Sequence, residues 1–288
     1  MADPKPAKAG KKGASTTPDL ASIGGLVVGI GGIIMGMLME KGELRHLYQV
    51  SAAVIVLGGT LGAVMVTTPM NVLLRAAKHF MLVFFDRQYS ASGTIEEIIE
   101  YATQARKQGI VSLEQQAANV ADPFLKKALN LAVDGIEMSQ IRSIMELDLS
   151  LVEHEGEAEA KVYEAAGGYA PTIGIIGAVI GLIHVMQNLA DIDAVGKGIA
   201  GAFVATIYGV GSANLFFLPA GSKLRSRMQD TVKIRELMLE GVLSIVEGLN
   251  PKLIRTKLDA YLQQQSAGGK KAAAAKGSPA GQPASAEG

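Results

Sequence analysis

The sequence predicts an all-α integral membrane protein with four transmembrane helices and a cytoplasmic helical domain. Four apolar runs (Leu20 to Met39, Leu47 to Thr68, Gly167 to Met186, Gly198 to Leu218) each approach or exceed the roughly 20 residues that cross about 30 Å of hydrocarbon. Hydrophobic residues make up 49% of the 288 and charged residues 19%, with a mean hydropathy of +0.27, which is apolar for a soluble domain. The polar stretches between and after the runs have helical rather than alternating periodicity.

These runs divide the chain. Residues 1–19 read as a basic flexible tail, 20–68 as a transmembrane hairpin, and 69–166 as a cytoplasmic helical domain. Residues 167–218 hold the third and fourth transmembrane helices, 219–265 cytoplasmic C-terminal helices, and 266–288 a disordered, low-complexity tail. The first run is too long for the apolar region of a signal peptide, and no small-residue cleavage site follows it.

Loop charge orients the spans. The N-terminal tail carries four lysines (Lys5, Lys8, Lys11, Lys12), and the first short loop carries Lys41 and Arg45 offset by two glutamates. Nine Lys and Arg lie in the middle segment, one in the third loop, and eleven in the C-terminal segment, including Lys223, Arg225 and Arg227 directly after the last span. Positive residues are retained on the cytoplasmic side, so both termini and the middle segment are expected inside. Almost nothing is left outside to receive an external ligand.

In the middle segment, Thr94 and Glu97 have capping-box spacing, and Ile95, Ile98, Ile99, Ala102 and Ala105 fall on one helical face. Gly109 is a helix stop, Ser112 with Gln115 a second start, and Asp122-Pro123 a third, with Leu125, Ala128, Leu129 and Ala132 on its apolar side. From Ser139 a long helix is expected to run straight into the third span. Ile234, Leu237, Met238, Val242, Ile245 and Val246 mark another helix, and Asn250-Pro251 opens the last. Such a bundle either receives movement from the membrane through its continuous helices or merely holds the spans together.

Several function classes are excluded or left without support. Net charge is zero, which argues against a nucleic-acid partner, and cysteine is absent. No G-x-x-x-x-G-K-[ST] loop, HExxH or Cys/His metal pattern occurs, and the glycines of GIGG at 29–32 lie inside a span. An enzyme is therefore not expected, nor a cofactor or metal. The first, second and fourth runs contain no Asp, Glu, Lys, Arg or His, and the third only His184 near its outer end. Ion pathways usually carry an intramembrane carboxylate, so in ion transport another chain would have to supply it.

What the spans offer is close packing. Gly25-Gly29, Gly32-Gly36, Gly58-Gly62 and Gly177-Gly181 are small-xxx-small pairs, and Gly198, Ala202, Ala205, Gly209 and Ser212 follow 4-3-4-3 spacing along the fourth span. Thr172, Thr206, Tyr208 and Asn214 add polar groups. Each threonine either serves a path or bonds back to its own helix.

The order of two spans, a cytoplasmic insert, two spans and a basic tail resembles the flagellar motor stator protein MotA/PomA family, within the MotA/TolQ/ExbB proton channel superfamily. The strings YAPTIGIIGAVIGLIHVM and AFVATIYGVGSANLFFLPAGSKL resemble its third and fourth spans. ARKQGIVSLE resembles its rotor-facing segment, and EGVLSIVEGLNPKLIRTKLDAYL its C-terminal helix pair; coverage runs from about Leu20 to Leu262.

The resemblance implies a stator subunit in the bacterial inner membrane, with the chain forming a homo-oligomer, a pentamer, around the single helices of two MotB-type subunits. The missing carboxylate is then an aspartate of that partner, and the ring pushes the rotor protein FliG. Carried over by position, Arg106 and Glu114 become rotor contacts, Pro171 and Pro219 coupling prolines, and Thr206 an ion-path hydroxyl, with Thr172 and Ala178 beside the path. Gly174, Gly177, Gly181 and Gly209 become the helix-packing positions. Sodium-type members carry Thr where this chain has Ala178, so the missing hydroxyl implies proton coupling. A TolQ/ExbB-like energiser of envelope transport is the alternative, and the hairpin at 20–68 counts against it, since those members usually have three spans.

Overall fold

The computed structural model describes residues 16–42, 44–87 and 90–276; the basic tail to residue 15 and residues 277–288 lie outside them. In chain order the elements are β1 (Thr16–Pro18), α1 (Leu20–Met39), α2 (Val50–Ala53), α3 (Gly59–Thr67), α4 (Met70–His79) and β2 (Phe85–Arg87). They continue with α5 (Ala91–Gln108), α6 (Glu114–Asn119), α7 (Pro123–Val133), α8 (Met138–Gln187), α9 (Ile192–Ser212), α10 (Leu218–Val246) and α11 (Pro251–Lys276). A π-helical turn, Val54–Gly58, joins α2 to α3, and a second, Ala213–Phe217, joins α9 to α10.

Four helices among the described residues are long and apolar enough to cross a membrane: Leu20–Met39, Val50–Thr67, Met138–Gln187 and Ile192–Val246. The fold is therefore nearly all helical, with one short antiparallel pair, β1 to β2, in the register Thr16↔Arg87 and Pro18↔Phe85.

Local chemistry sets the ends. Asp19 caps α1 by accepting from Ala21 N and Ser22 N, and Asp122 caps α7 ahead of Pro123. Thr68 is extended because Pro69 follows it, which ends α3. Gly109 ends α5 at φ 83°, a conformation that costs a side chain dearly.

Three expectations need correction. The cap of α5 is Ser90, whose Oγ accepts from Gly93 N, while Thr94 is buried inside the helix and Glu97 accepts from the Tyr101 hydroxyl. Thr94 lies on the apolar face with Ile95 and Ile98, so burial decided its place. Ser112 does not open a helix; its hydroxyl donates to Gly109 O within a 3₁₀ turn, Ile110–Leu113, and α6 begins at Glu114. At the C-terminus, α11 runs to Lys276, ten residues past the expected start of the tail, through a segment rich in alanine and lysine, which cost least in a helix.

The described residues form two compact units, one within 1–88 and 150–230 and the other within 89–149 and 231–288. The second is a helical bundle around Ile98, Leu113, Leu125, Leu129, Ile141, Met145, Leu237, Leu243, Ile254 and Leu258, all buried. Gly241 lets α10 meet α5: a Cβ there would stand 2.7 Å from Ile98 Cδ1. Around this core, Arg255 grips Glu96 through two 2.6 Å bonds and Lys257 meets Glu240 at 2.5 Å.

In the first unit, α2 and α3 present one stripe, Ala52, Val56, Thr60 and Val64, all buried at four-residue spacing. Phe80 is held by Phe84, Phe216 and Tyr163, with ring centroids 5.6, 5.2 and 5.9 Å away. The Tyr163 hydroxyl donates to Ala76 O, and burial pushes its pKa up to about 12. Glu159, buried in α8, meets His79 Nδ1 at 2.6 Å, while Arg75 donates to the neighbouring Glu155 at 2.8 Å.

Candidate functional site: the seam between the third and fourth spans

The third span of α8 and the fourth span of α9 lie almost backbone to backbone. A Cβ at Gly174 would stand 2.9 Å from Ala205 O and 3.2 Å from Gly209 Cα. At Gly177 it would meet Ala205 Cβ at 2.9 Å, and at Gly181 Ala202 N at 3.1 Å. At Gly209 it would meet Ala170 O at 2.6 Å. The four glycines singled out for packing thus lie along one contact, and Gly198, Ala202, Ala205 and Gly209 are all buried. Gly25, Gly32, Gly36, Gly58 and Gly62 face open space within this single chain.

Thr172, Ala178 and Thr206, the positions expected along an ion path, lie on these two spans. Thr172 is exposed and its Oγ1 donates to Tyr169 O at 2.8 Å; Thr206 is half-buried and donates to Ala202 O at 3.3 Å. Both hydroxyl protons are held by the helix, which leaves each oxygen lone pairs with which to accept. Ala178, half-buried, offers only a methyl.

Pro171 lies inside α8 and Pro219 just inside α10, and neither can donate to the helical ladder. For Pro171 the missing bond is the one to Gly167 O, four residues back. Gly167 packs on Leu218, where a Cβ would come 2.5 Å from Leu218 Cδ2, so the ladder break of Pro171 abuts the residue preceding Pro219. On the other side of Leu218 is the π-turn, in which Leu218 N donates to Ala213 O, five residues back. A widened turn followed by a proline concentrates weakened backbone bonding at one level of the fourth span.

In the second unit, Arg106 lies in the last turn of α5 and Glu114 in the first turn of α6, both exposed. Each sign suits its helix end, positive at the C-terminus and negative at the N-terminus. Neither has an ion-pair partner among the described residues.

Three groups were not singled out from the sequence. Asp19 accepts from Ser22 Oγ, pairs with Lys223, and is reached by Arg227 Nη2 at 2.9 Å, so two cations that follow the last span also anchor the start of the first. Thr60 is 2% exposed and its Oγ1 has no hydrogen-bond partner among the described residues. Its four-residue spacing from Val56 and Val64 was the available signal. Tyr208, noted only as a polar group, donates its hydroxyl to Leu47 O and so ties α9 to the loop before α2.

Four spans and a seam of glycines between two of them define a multi-pass membrane protein. The profile of the MotA/TolQ/ExbB proton channel family matches residues 116–237, and that of the motility protein A N-terminal region matches residues 23–109. Motility protein A of Bacillus subtilis (strain 168) is 36% identical over 248 residues, 85% of this chain and 91% of that protein. The solved structure of C. jejuni MotAB matches with a TM-score of 0.81 at 32% identity, and the flagellar MotAB stator complex from Bacillus subtilis with 0.78 at 35% identity. Each covers 84% of this chain and 95% of the other. The chain belongs to the MotA/TolQ/ExbB proton channel family. It is a multi-pass protein of the inner membrane.

Proposed function

We propose that this chain is the ion-conducting stator subunit of a bacterial flagellar motor, which couples proton flow to torque on the rotor. The observation that carries the reading is the complementarity of the seam. The third and fourth spans have no carboxylate, yet they contain two threonine hydroxyls, glycines and two ladder-breaking prolines near each other. A single helix of a MotB-type partner supplies the titrating aspartate. The solved relatives, described as MotAB complexes, support such a partner.

In this reading five copies surround the partner helices, both termini face the cytoplasm, and no enzymatic step or cofactor is involved. Protonation of the partner's aspartate changes its demand for hydrogen bonds, and Pro171 and Pro219 let α8 and α10 respond. Each charge that crosses releases about 2.3 kcal/mol per 100 mV. Arg106 and Glu114 press on the rotor protein FliG. The match of the motility protein A N-terminal profile at 23–109 favours this over an energiser of envelope transport.

The ion is assigned to the proton because Ala178 has no oxygen to replace water around a dehydrated sodium ion. The test is swimming at fixed pH, with and without sodium, in a cell whose only stator is this chain with its partner. Equal speeds are expected; strict sodium dependence would overturn the proton assignment.

A further inference from the structure

A cavity of about 560 Å³ lies within the first unit, between the first two turns of α1, the segment around Phe80 and Phe84, and the stretch that contains the second π-turn and Pro219. Leu26, Phe84, Leu215 and Phe216 make its apolar part, and Ser222, Lys223 and Ser226 its polar part. The volume falls in the range of small-ligand pockets.

Two observations decide what fits. First, the cavity is at a membrane boundary. Helix α1 starts its apolar run at Leu20, directly after the ionic cluster of Asp19, Lys223 and Arg227. A ligand here has one end beside the charges and the other beside a span. Second, its chemistry is divided in the same way. The polar part presents two serine hydroxyls one helical turn apart and the ammonium of Lys223, which has three N–H donors and gives one to Asp19.

We infer that this cavity binds an anionic membrane phospholipid, with one acyl chain against Phe84, Leu215 and Phe216 and the phosphate at Lys223, Ser222 and Ser226. Basic pockets at the cytoplasmic ends of spans suit anionic headgroups, and charge-assisted bonds to phosphate oxygens are strong. Phe80 is fixed among three aromatic rings, so this wall is formed before the ligand arrives. Pro219 lines the same cavity, so the bound lipid touches the flexible point of the fourth span.

The experiment uses the full chain with its single-span partner, reconstituted in phosphatidylcholine vesicles that contain phosphatidylglycerol with a photoreactive group in mid-chain. After irradiation, peptides with residues 80–84 and 215–216 should carry the label, and unlabelled phosphatidylglycerol should suppress it while extra phosphatidylcholine does not. The variant Gly25→Phe places a ring in the cavity, since nothing stands within 4 Å of a Cβ at Gly25. It should lower the label at 80–84 and 215–216 severalfold and leave that on the outer face of α1 unchanged. Label confined to the outer face of α1, or equal competition by both lipids, would overturn the proposal. So would a well-assembled Gly25→Phe protein that is labelled as strongly as the parent.

Discussion

Gly174 and Gly209 occupy one another's side-chain space: a Cβ on the first would stand 3.2 Å from the second's Cα, and a Cβ on the second 3.0 Å from the first's. At Gly209 the new atom would also meet the backbone oxygen of Ala170 at 2.6 Å, which cannot swing aside as a flexible side chain can. Gly209→Ala should therefore destabilise the α8–α9 contact by about 1–3 kcal/mol, the usual cost of overpacking. Thermal unfolding of the purified protein in detergent measures it. Gly211→Ala, two residues on and in open space, should be neutral or stabilising by up to about 1 kcal/mol. Equal melting of the two variants would mean that the seam is looser than described.

The hydrogen bond from Lys223 holds the Asp19 carboxyl well below the usual carboxylate range, with Ser22 assisting against the opposing effect of burial. Since the folded value lies below the unfolded one of about 3.9, the stabilisation is complete above that pH. It is lost as pH falls through the folded value. Stability should thus be insensitive to this group between neutrality and mild acid. Asp19→Asn should cost about 1 kcal/mol at neutral pH, a typical value for a helix cap, and should lessen the acid sensitivity. Urea or thermal titrations at several pH values would reveal a variant that keeps the full acid response, which would exclude Asp19 as its source.

Thr60 leads to an opposite expectation for a polar group. Its hydroxyl is buried without a partner among the described residues, and such a group costs about 1–3 kcal/mol relative to an apolar one of the same shape. Thr60→Val should match or exceed the parent in melting temperature, while Thr60→Ser, which keeps the hydroxyl and loses a methyl, should melt lower. A clear loss of stability in Thr60→Val would mean that the hydroxyl has a partner in the assembled complex.

Charge reversal at Arg106 or Glu114 separates function from folding. Both are exposed and have no ion-pair partner among the described residues, so Arg106→Glu and Glu114→Lys should change stability by less than about 0.5 kcal/mol. Tethered-cell rotation should nevertheless slow, with assembly of the complex intact by size-exclusion chromatography. Normal rotation in both variants would reject the rotor-contact assignment.

Much of the architecture is a matter of local pattern and was legible as such. A run of about 20 apolar residues has few ways to satisfy its backbone in lipid other than a helix, so the four spans follow from hydropathy. The apolar faces of α5, α7 and α10 follow from 3.6-residue periodicity, and residues such as Ile98, Leu129 and Val242 are buried as that period requires. Gly109 and Asp122-Pro123 mark helix ends by their own backbone preferences. Gly177, Gly181 and Gly209 could be named because small residues recur there at helical spacing, which lets helices approach closely.

The tertiary structure alone decided which surfaces met. Gly58 and Gly62 have the same spacing as Gly177 and Gly181, yet only the latter pair has a neighbour at side-chain distance, because spacing describes one helix and contact requires two. Thr94 has the pattern of a cap and is instead a core residue, since burial with Ile95 and Ile98 outweighed a bond that Ser90 could make equally well. Asp19 finds Lys223 more than two hundred residues away, and Gly167 beneath Pro171 finds Leu218 beside Pro219. Those pairings depend on how the helices cross, and crossing is set by the summed packing of whole faces rather than by any short stretch of sequence.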